Sequence, residues 1–181
     1  KKYDLVIVAD YGHGIFTEKI RNLILEEGNK VFLNTQINSF NRGYHTVYKY
    51  KKINTLIINE GELRFELRDK YSSVVKLARA LSKKINVENI IVTRGSVGSM
   101  LINRKKRTAI HCPAFSKNNT DTVGAGDTFF AICSLLLKSK IDSYLSMLIA
   151  SIAASFLIDQ QGNKIFFNKE ILKKYLIHMF K

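Results

Sequence analysis

Hydrophobic positions along the chain alternate between two periods. A continuous apolar run at residues 5–9, rich in β-branched side chains, predicts a buried strand that ends at Asp10. Ile20, Leu23 and Ile24 then recur at helical spacing within residues 17–27, and Gly28 stops the pattern. A short strand at 31–33 leads into the Asn-rich loop NTQINSFNRG, and the chain passes through residues 44–50 to a second buried strand at 55–58. Helical patterns follow at 60–68 and 72–85, then a buried strand at 89–93.

The alternation breaks after Thr93. Residues 99–103 and 107–112 are strand-like and joined by a short basic turn with no intervening helix, which predicts an antiparallel hairpin. The remainder reads as helices at 125–138, 142–159 and 168–179, the second with Leu145, Leu148, Ile149, Ile152 and Phe156 on one face. Strands and helices in this order predict a three-layer α/β/α fold with a mostly parallel sheet and a terminal β-hairpin. At 181 residues, with no repeat or linker, a single domain over 1–181 is the expectation.

Composition changes this picture little: 46% hydrophobic residues, 24% charged and a single proline fit an ordered globular chain. The formal charge of +14 would attract polyanions, but the lysines are scattered. The one dense group, Arg104, Lys105, Lys106 and Arg107, is either a solvated hairpin turn or a phosphate-facing patch. A nucleic-acid partner therefore rests on charge alone and ranks last. Cys112 and Cys133 have no C-x-x-C or His partner spacing and read as buried thiols of a reducing, cytoplasmic compartment. The longest apolar stretch is interrupted by serines and shorter than the roughly 20 residues a bilayer span needs. No membrane partner is expected.

In a parallel sheet, ligands gather at the carboxyl ends of the strands. Here those ends carry Asp10-Tyr11-Gly12-His13-Gly14, Asn59-Glu60-Gly61-Glu62 and Thr93-Arg94-Gly95-Ser96-Val97-Gly98. Gly124, Ala125 and Gly126 open a helix, where backbone N–H groups and the helix dipole make an anion cradle. The segment has neither the lysine of a P-loop nor the spacing of a dinucleotide fingerprint. Asp127 beside that cradle is either a base taking a proton from an attacking hydroxyl or a helix cap. Asn59 and Glu62 are either a helix start or oxygen donors to a hydrated Mg²⁺. Thr93, Gly95 and Gly98 are either a plain strand end or a backbone that nucleotide phosphates approach closely.

Taken together, DTVGAGDTF at 121–129, TRGSVG at 93–98 and NEGE at 59–62 resemble the ATP-binding part of the ribokinase-like carbohydrate kinases, the PfkB family. The resemblance covers essentially the whole chain. It implies that Asp127 is the catalytic base, that Gly124, Ala125 and Gly126 form the anion hole for the γ-phosphoryl group, and that Asn59 and Glu62 organise Mg²⁺ and its waters. It also implies nucleotide-phosphate contacts at Thr93, Gly95 and Gly98, a nucleotide contact at Gly162, and a monovalent cation near Asp121. DLVIVADYGHG and NTQINSFNRGYHTVYKY are similar to the kinase part of heptose 7-phosphate kinase and ADP-heptose synthase type proteins, with His13 where those carry a lysine. Asp10, Gly12 and His13 are the resulting substrate-binding candidates, His13 being either a substrate contact or an exposed loop residue. Arg42, His45 and Lys49 are either acidic-sugar contacts or ordinary surface.

The implied cofactors are ATP and Mg²⁺, with a monovalent cation as a further candidate. Candidate partners are a sugar or sugar phosphate, a fused nucleotidyltransferase domain and a second copy in a homodimer. Two departures stand out. Nothing here matches the family's N-terminal half, with most of the sugar pocket and lid, so a fragment of a longer polypeptide is expected, inactive in isolation. Ala150 and Ser151 stand where many members place Asn or His near the adenine. A phosphotransferase acting on a sugar hydroxyl is the leading expectation; a non-catalytic nucleotide-binding or assembly domain is the alternative.

Overall fold

The computed structural model describes residues 3–106, 108–115, 124–159 and 168–179. Its elements run β1 (Val6–Asp10), α1 (Glu18–Glu26), β2 (Val31–Thr35), β3 (Thr55–Asn59), α2 (Glu60–Leu67), α3 (Val74–Ile85), β4 (Asn89–Thr93), β5 (Ser99–Asn103), β6 (Ala109–Cys112), α4 (Ala125–Lys138), α5 (Ser143–Asp159) and α6 (Lys169–Met179). Internal contacts divide the chain into two compact units, Lys1–Arg94 with Met100–Ile110, and Gly95–Ser99 with His111–Lys181. Each is described by itself.

The six strands form one sheet in the order β1-β2-β3-β4-β5-β6, mostly parallel with antiparallel strands at its end. β1, β2, β3 and β4 pair in parallel, with Asp10 opposite Thr35 and Asn59 opposite Thr93. Because these strands advance in sequence order, right-handed crossovers put α1, α2 and α3 on one face. One cluster on that face joins Val8, Leu33, Leu56, Ile58, Ile90 and Val92 of the strands to Leu63 of α2 and Leu77, Leu81 and Ile85 of α3. Alternate strand residues point the other way, and Phe32, Ile57, Ile91 and Leu101 are buried there too. Burial on both faces is what the near-continuous apolar strands require.

α3 shows how the sequence makes its element. Val74, Leu77, Ala78, Leu81, Ser82 and Ile85 fall on one stripe and are all buried. Ser73 caps the start by accepting from Lys76 N, and Asn86 ends the helix in the left-handed region at φ 54°. α1 behaves differently. Its apolar residues have helical spacing, yet none is buried, and Ile20 and Leu23 are 39% and 57% exposed. In the second unit α4 packs on α5, and α6 also meets α5. The predicted face of α5 is corrected at Leu145, which is exposed; the buried positions include Ser146, Met147, Ala150, Ile152 and Ala153.

Arg104, Lys105 and Lys106 are exposed, as a solvated turn requires, and Arg107 lies outside the described residues. Cys112 and Cys133 are buried free thiols. Burial raises both, Cys133 to about 12. No helix of the described residues is long and apolar enough to cross a membrane.

Candidate functional site

The parallel register gathers the strand-final residues Asp10, Thr35, Asn59 and Thr93 along one sheet edge, so segments far apart in sequence become neighbours in the first unit. Asp10, a substrate-binding candidate, is buried at 4% exposure. Its Oδ1 accepts from Gly12 N at 2.9 Å and its Oδ2 from the Tyr50 hydroxyl at 2.6 Å. A carboxyl group this enclosed is stable only with hydrogen-bonding partners, and both oxygens have them. Burial first, then the Asp10 bond, raises the Tyr50 hydroxyl far above its usual range, so it stays a donor.

His45 joins the same cluster. Its Nε2 lies 3.1 Å from the Asp10 carbonyl oxygen and 3.7 Å from Oδ2, and at 6% exposure it is not surface. A Cβ on Gly12 would crowd Asn41 and His45, and Gly12 has φ +71°, so glycine is required there by the packing of this loop. Asn38 and Asn41 both donate through Nδ2 to the Tyr11 carbonyl, at 3.2 and 2.9 Å. Asn38 Oδ1 accepts from Phe40 N and Asn41 N, which leaves its Nδ2 facing His13 Nε2 at 3.4 Å. Tyr11 and His13 stack, and His13 is exposed at the loop tip. Arg42 and Lys49 are exposed.

Asn59 and Glu62 meet at the start of α2 as a capping box. Asn59 Oδ1 accepts from Gly61 N at 2.8 Å, and Glu62 Oε2 accepts from Asn59 N at 3.0 Å. Glu62 does more than cap: its Oε1 accepts from Ile37 N at 3.1 Å, tying the loop after β2 to α2. One turn on, Glu66 accepts from Val47 N and the Thr46 hydroxyl, both at 2.8 Å. Burial raises Glu62 above the ordinary carboxylate value, against the two backbone hydrogen bonds that lower it. Each carboxylate oxygen keeps a second lone pair, so the donor set fits a hydrated Mg²⁺ held through water.

Thr93 is half-buried and Gly95 exposed, with open space where a Cβ would stand on Gly95. Gly98 is a packing glycine: a Cβ there would collide with the Cys112 carbonyl oxygen and with Pro113 and Ala114. In the second unit, Gly124 sits at φ 81° as the N-cap of α4 and supplies no side-chain cap. A Cβ on Gly124 or Gly126 would meet nothing within 4 Å. Among the described residues, packing calls for neither glycine, although the left-handed φ of Gly124 by itself favours one. Asp127, in the first turn, is exposed. Asp121 and Gly162 lie outside the described residues.

Sequence reasoning missed Asn38, Asn41, Tyr50 and Glu66, whose partners lie up to 40 residues away. The N-x-x-N spacing of Asn38 and Asn41 was the only available signal, as a side-chain-closed turn.

Comparison with known proteins extends these observations. Over 181 residues, 98% of this chain and 36% of the relative, the chain is 25% identical to the bifunctional protein HldE of Rhodopseudomonas palustris (strain BisB5). Another bifunctional protein HldE, from Campylobacter curvus, is 26% identical over 90% of this chain and 34% of its own. The chain thus spans about a third of the curated relatives' length. Among solved structures, ribokinase from Thermotoga maritima superposes with a TM-score of 0.75 at 20% identity, over 96% of this chain and 57% of that one. Arabidopsis thaliana ribokinase complexed with ribose and ATP also gives 0.75, at 21% identity over 94% and 55%. Residues 14–166 match the profile of the pfkB family carbohydrate kinases, and the chain belongs to that family.

Proposed function

We propose that the chain is the ATP-binding part of a kinase that transfers the γ-phosphoryl group of ATP to a sugar hydroxyl. The observation that carries the reading is the start of α4: two glycines with open space around them, no side-chain cap, and an exposed carboxylate in the same turn. Phosphoryl transfer needs positioning and charge stabilisation more than covalent chemistry, and this arrangement offers both. Asp127 takes the proton from the attacking hydroxyl, and the N–H groups opening α4 stabilise the charge that develops on the transferred group. Asn59 and Glu62 would hold Mg²⁺ through its waters, and the ion would offset phosphate charge. Thr93 and Gly95 lie along the phosphates. His13, on its braced loop, faces the acceptor sugar; heptose phosphate is the leading substrate on the resemblance of residues 4–14 and 34–50.

A second reading, a non-catalytic nucleotide-binding domain, is favoured by one observation. The oxygens of Asn59 and Glu62 are already engaged by their own backbone. Calorimetry of ATP·Mg²⁺ binding to the full-length protein, followed by phosphate-transfer assays with heptose phosphate and other sugars, separates the two. Transfer supports the first reading, binding with no transfer to any sugar supports the second, and no binding removes both.

A further inference from the structure

Arg94 follows the last residue of β4, and Glu60 opens α2 at the end of β3. Arg94 Nε donates to Glu60 Oε2 at 2.7 Å. The other oxygen, Oε1, accepts from Arg64 Nε at 3.0 Å and Nη2 at 2.7 Å. One carboxylate thus stands between two guanidinium groups, and these three groups together keep a net positive charge.

The two arginines differ in what they have left to give. Arg64 is committed to the fold, because its Nη1 donates to the carbonyls of Lys70 at 2.9 Å and Ser72 at 3.0 Å. Arg94 uses only Nε among the described residues, and its side chain is 26% exposed. Both of its terminal amino groups therefore remain, as a planar fork whose orientation Glu60 fixes from behind. A guanidinium held in this way loses little freedom on meeting a second anion, and its fork matches two oxygens of a phosphate. Its neighbours in sequence, Thr93 and Gly95, are the residues proposed above to lie along the nucleotide phosphates.

We propose that Arg94 is a phosphate-binding residue, oriented by Glu60, that holds the oligophosphate of the nucleotide at the ends of β3 and β4. The inference rests on the kinase reading for the identity of the phosphate donor, though not for the anion site itself. The test is calorimetric titration of the full-length protein with inorganic tripolyphosphate and, separately, with ATP. Arg94→Gln is expected to weaken tripolyphosphate binding about 10-fold to 100-fold, as loss of a charge-assisted bidentate contact does. Arg94→Lys, which keeps the charge and loses the fork, falls between. Arg64→Gln serves as the structural comparison, lowering the melting temperature while leaving tripolyphosphate affinity within about twofold. Equal tripolyphosphate affinity in wild type and Arg94→Gln, equal losses in Arg94→Gln and Arg64→Gln, or no tripolyphosphate binding by the wild type would overturn the proposal. Tripolyphosphate binding that depends on Arg94 in a protein that does not bind ATP would support it and remove the kinase reading instead.

Discussion

The starts of α2 and α4 are both acidic, and their N-cap residues differ: Asn59 closes the first with its side chain, whereas Gly124 has none to give. At α2, the Asn59 side chain accepts one first-turn N–H, while Glu62 reaches back to Asn59 N and outward to Ile37 N, closing the helix end with the chain's own side chains. At α4 the N-cap is Gly124, with no side chain to give, and the acid of the first turn, Asp127, is exposed. A helix end closed by its own side chains holds the structure together, whereas a glycine N-cap leaves room for a ligand to take first-turn N–H groups. The presence of an acid in a first turn says little by itself; the atom that takes its hydrogen bonds decides its role.

Substitutions should therefore have opposite signs at the two ends. The largest stability loss is expected for Glu62→Ala, which strips the partners from Ile37 N and Asn59 N and should cost about 2 kcal/mol in urea unfolding. A loss below about 0.5 kcal/mol would mean that water replaces both bonds. Asn59→Ala removes one cap and should cost about 1 kcal/mol. Gly126→Ala goes the other way: a Cβ there meets nothing within 4 Å, so the helix should gain roughly 0.5 kcal/mol while phosphate transfer by the full-length protein falls. If stability and turnover dropped together, the glycine would be serving the fold.

The smallest effect is a difference in pH slope within α2. Glu62 is raised above its ordinary value of 4.5 by burial, so its contribution favours folding below 4.5 and is lost as pH rises through the raised value. Glu60 is lowered from 4.5, chiefly by its bond from Arg94, so its contribution is present above 4.5 and is lost as pH falls through the lowered value. Unfolding free energies measured from about pH 3 to about pH 7 should show Glu60→Gln flattening the acid limb and Glu62→Gln flattening the decline above 4.5. Identical profiles for the two variants would contradict the assignment.

Much of this was legible in the chain. Apolar runs ending in Asp10, Asn59 and Thr93 located three parallel strands and the sheet edge they share, because buried strands must be continuous in hydrophobicity. TRGSVG and GAGD are glycine-rich, but the pattern does not say which glycines serve packing: Gly98 is fixed by Cys112 and Pro113, whereas no described residue lies within 4 Å of a Cβ built on Gly124 or Gly126. The burial of Asp10 and His45 was hidden for one reason. Polar residues in loops default to the surface, and only the meeting of Asp10 with Tyr50 and His45, distant in sequence, makes a buried polar cluster stable. The exposure of Ile20 and Leu23 on α1 was equally hidden, since spacing reveals an amphipathic stripe and not how much of it is covered; Ile24 and Leu25 do pack against the core.

Asp127, in the first turn of α4 behind the Gly124 N-cap, carries the central claim. Steady-state turnover and ATP affinity of the full-length protein carrying Asp127→Asn test it most directly. Loss of a general base predicts a fall in kcat of about a thousandfold, with the dissociation constant for ATP·Mg²⁺ changed by less than about twofold. Near-normal turnover, or lost ATP affinity at unchanged turnover per bound nucleotide, would contradict it.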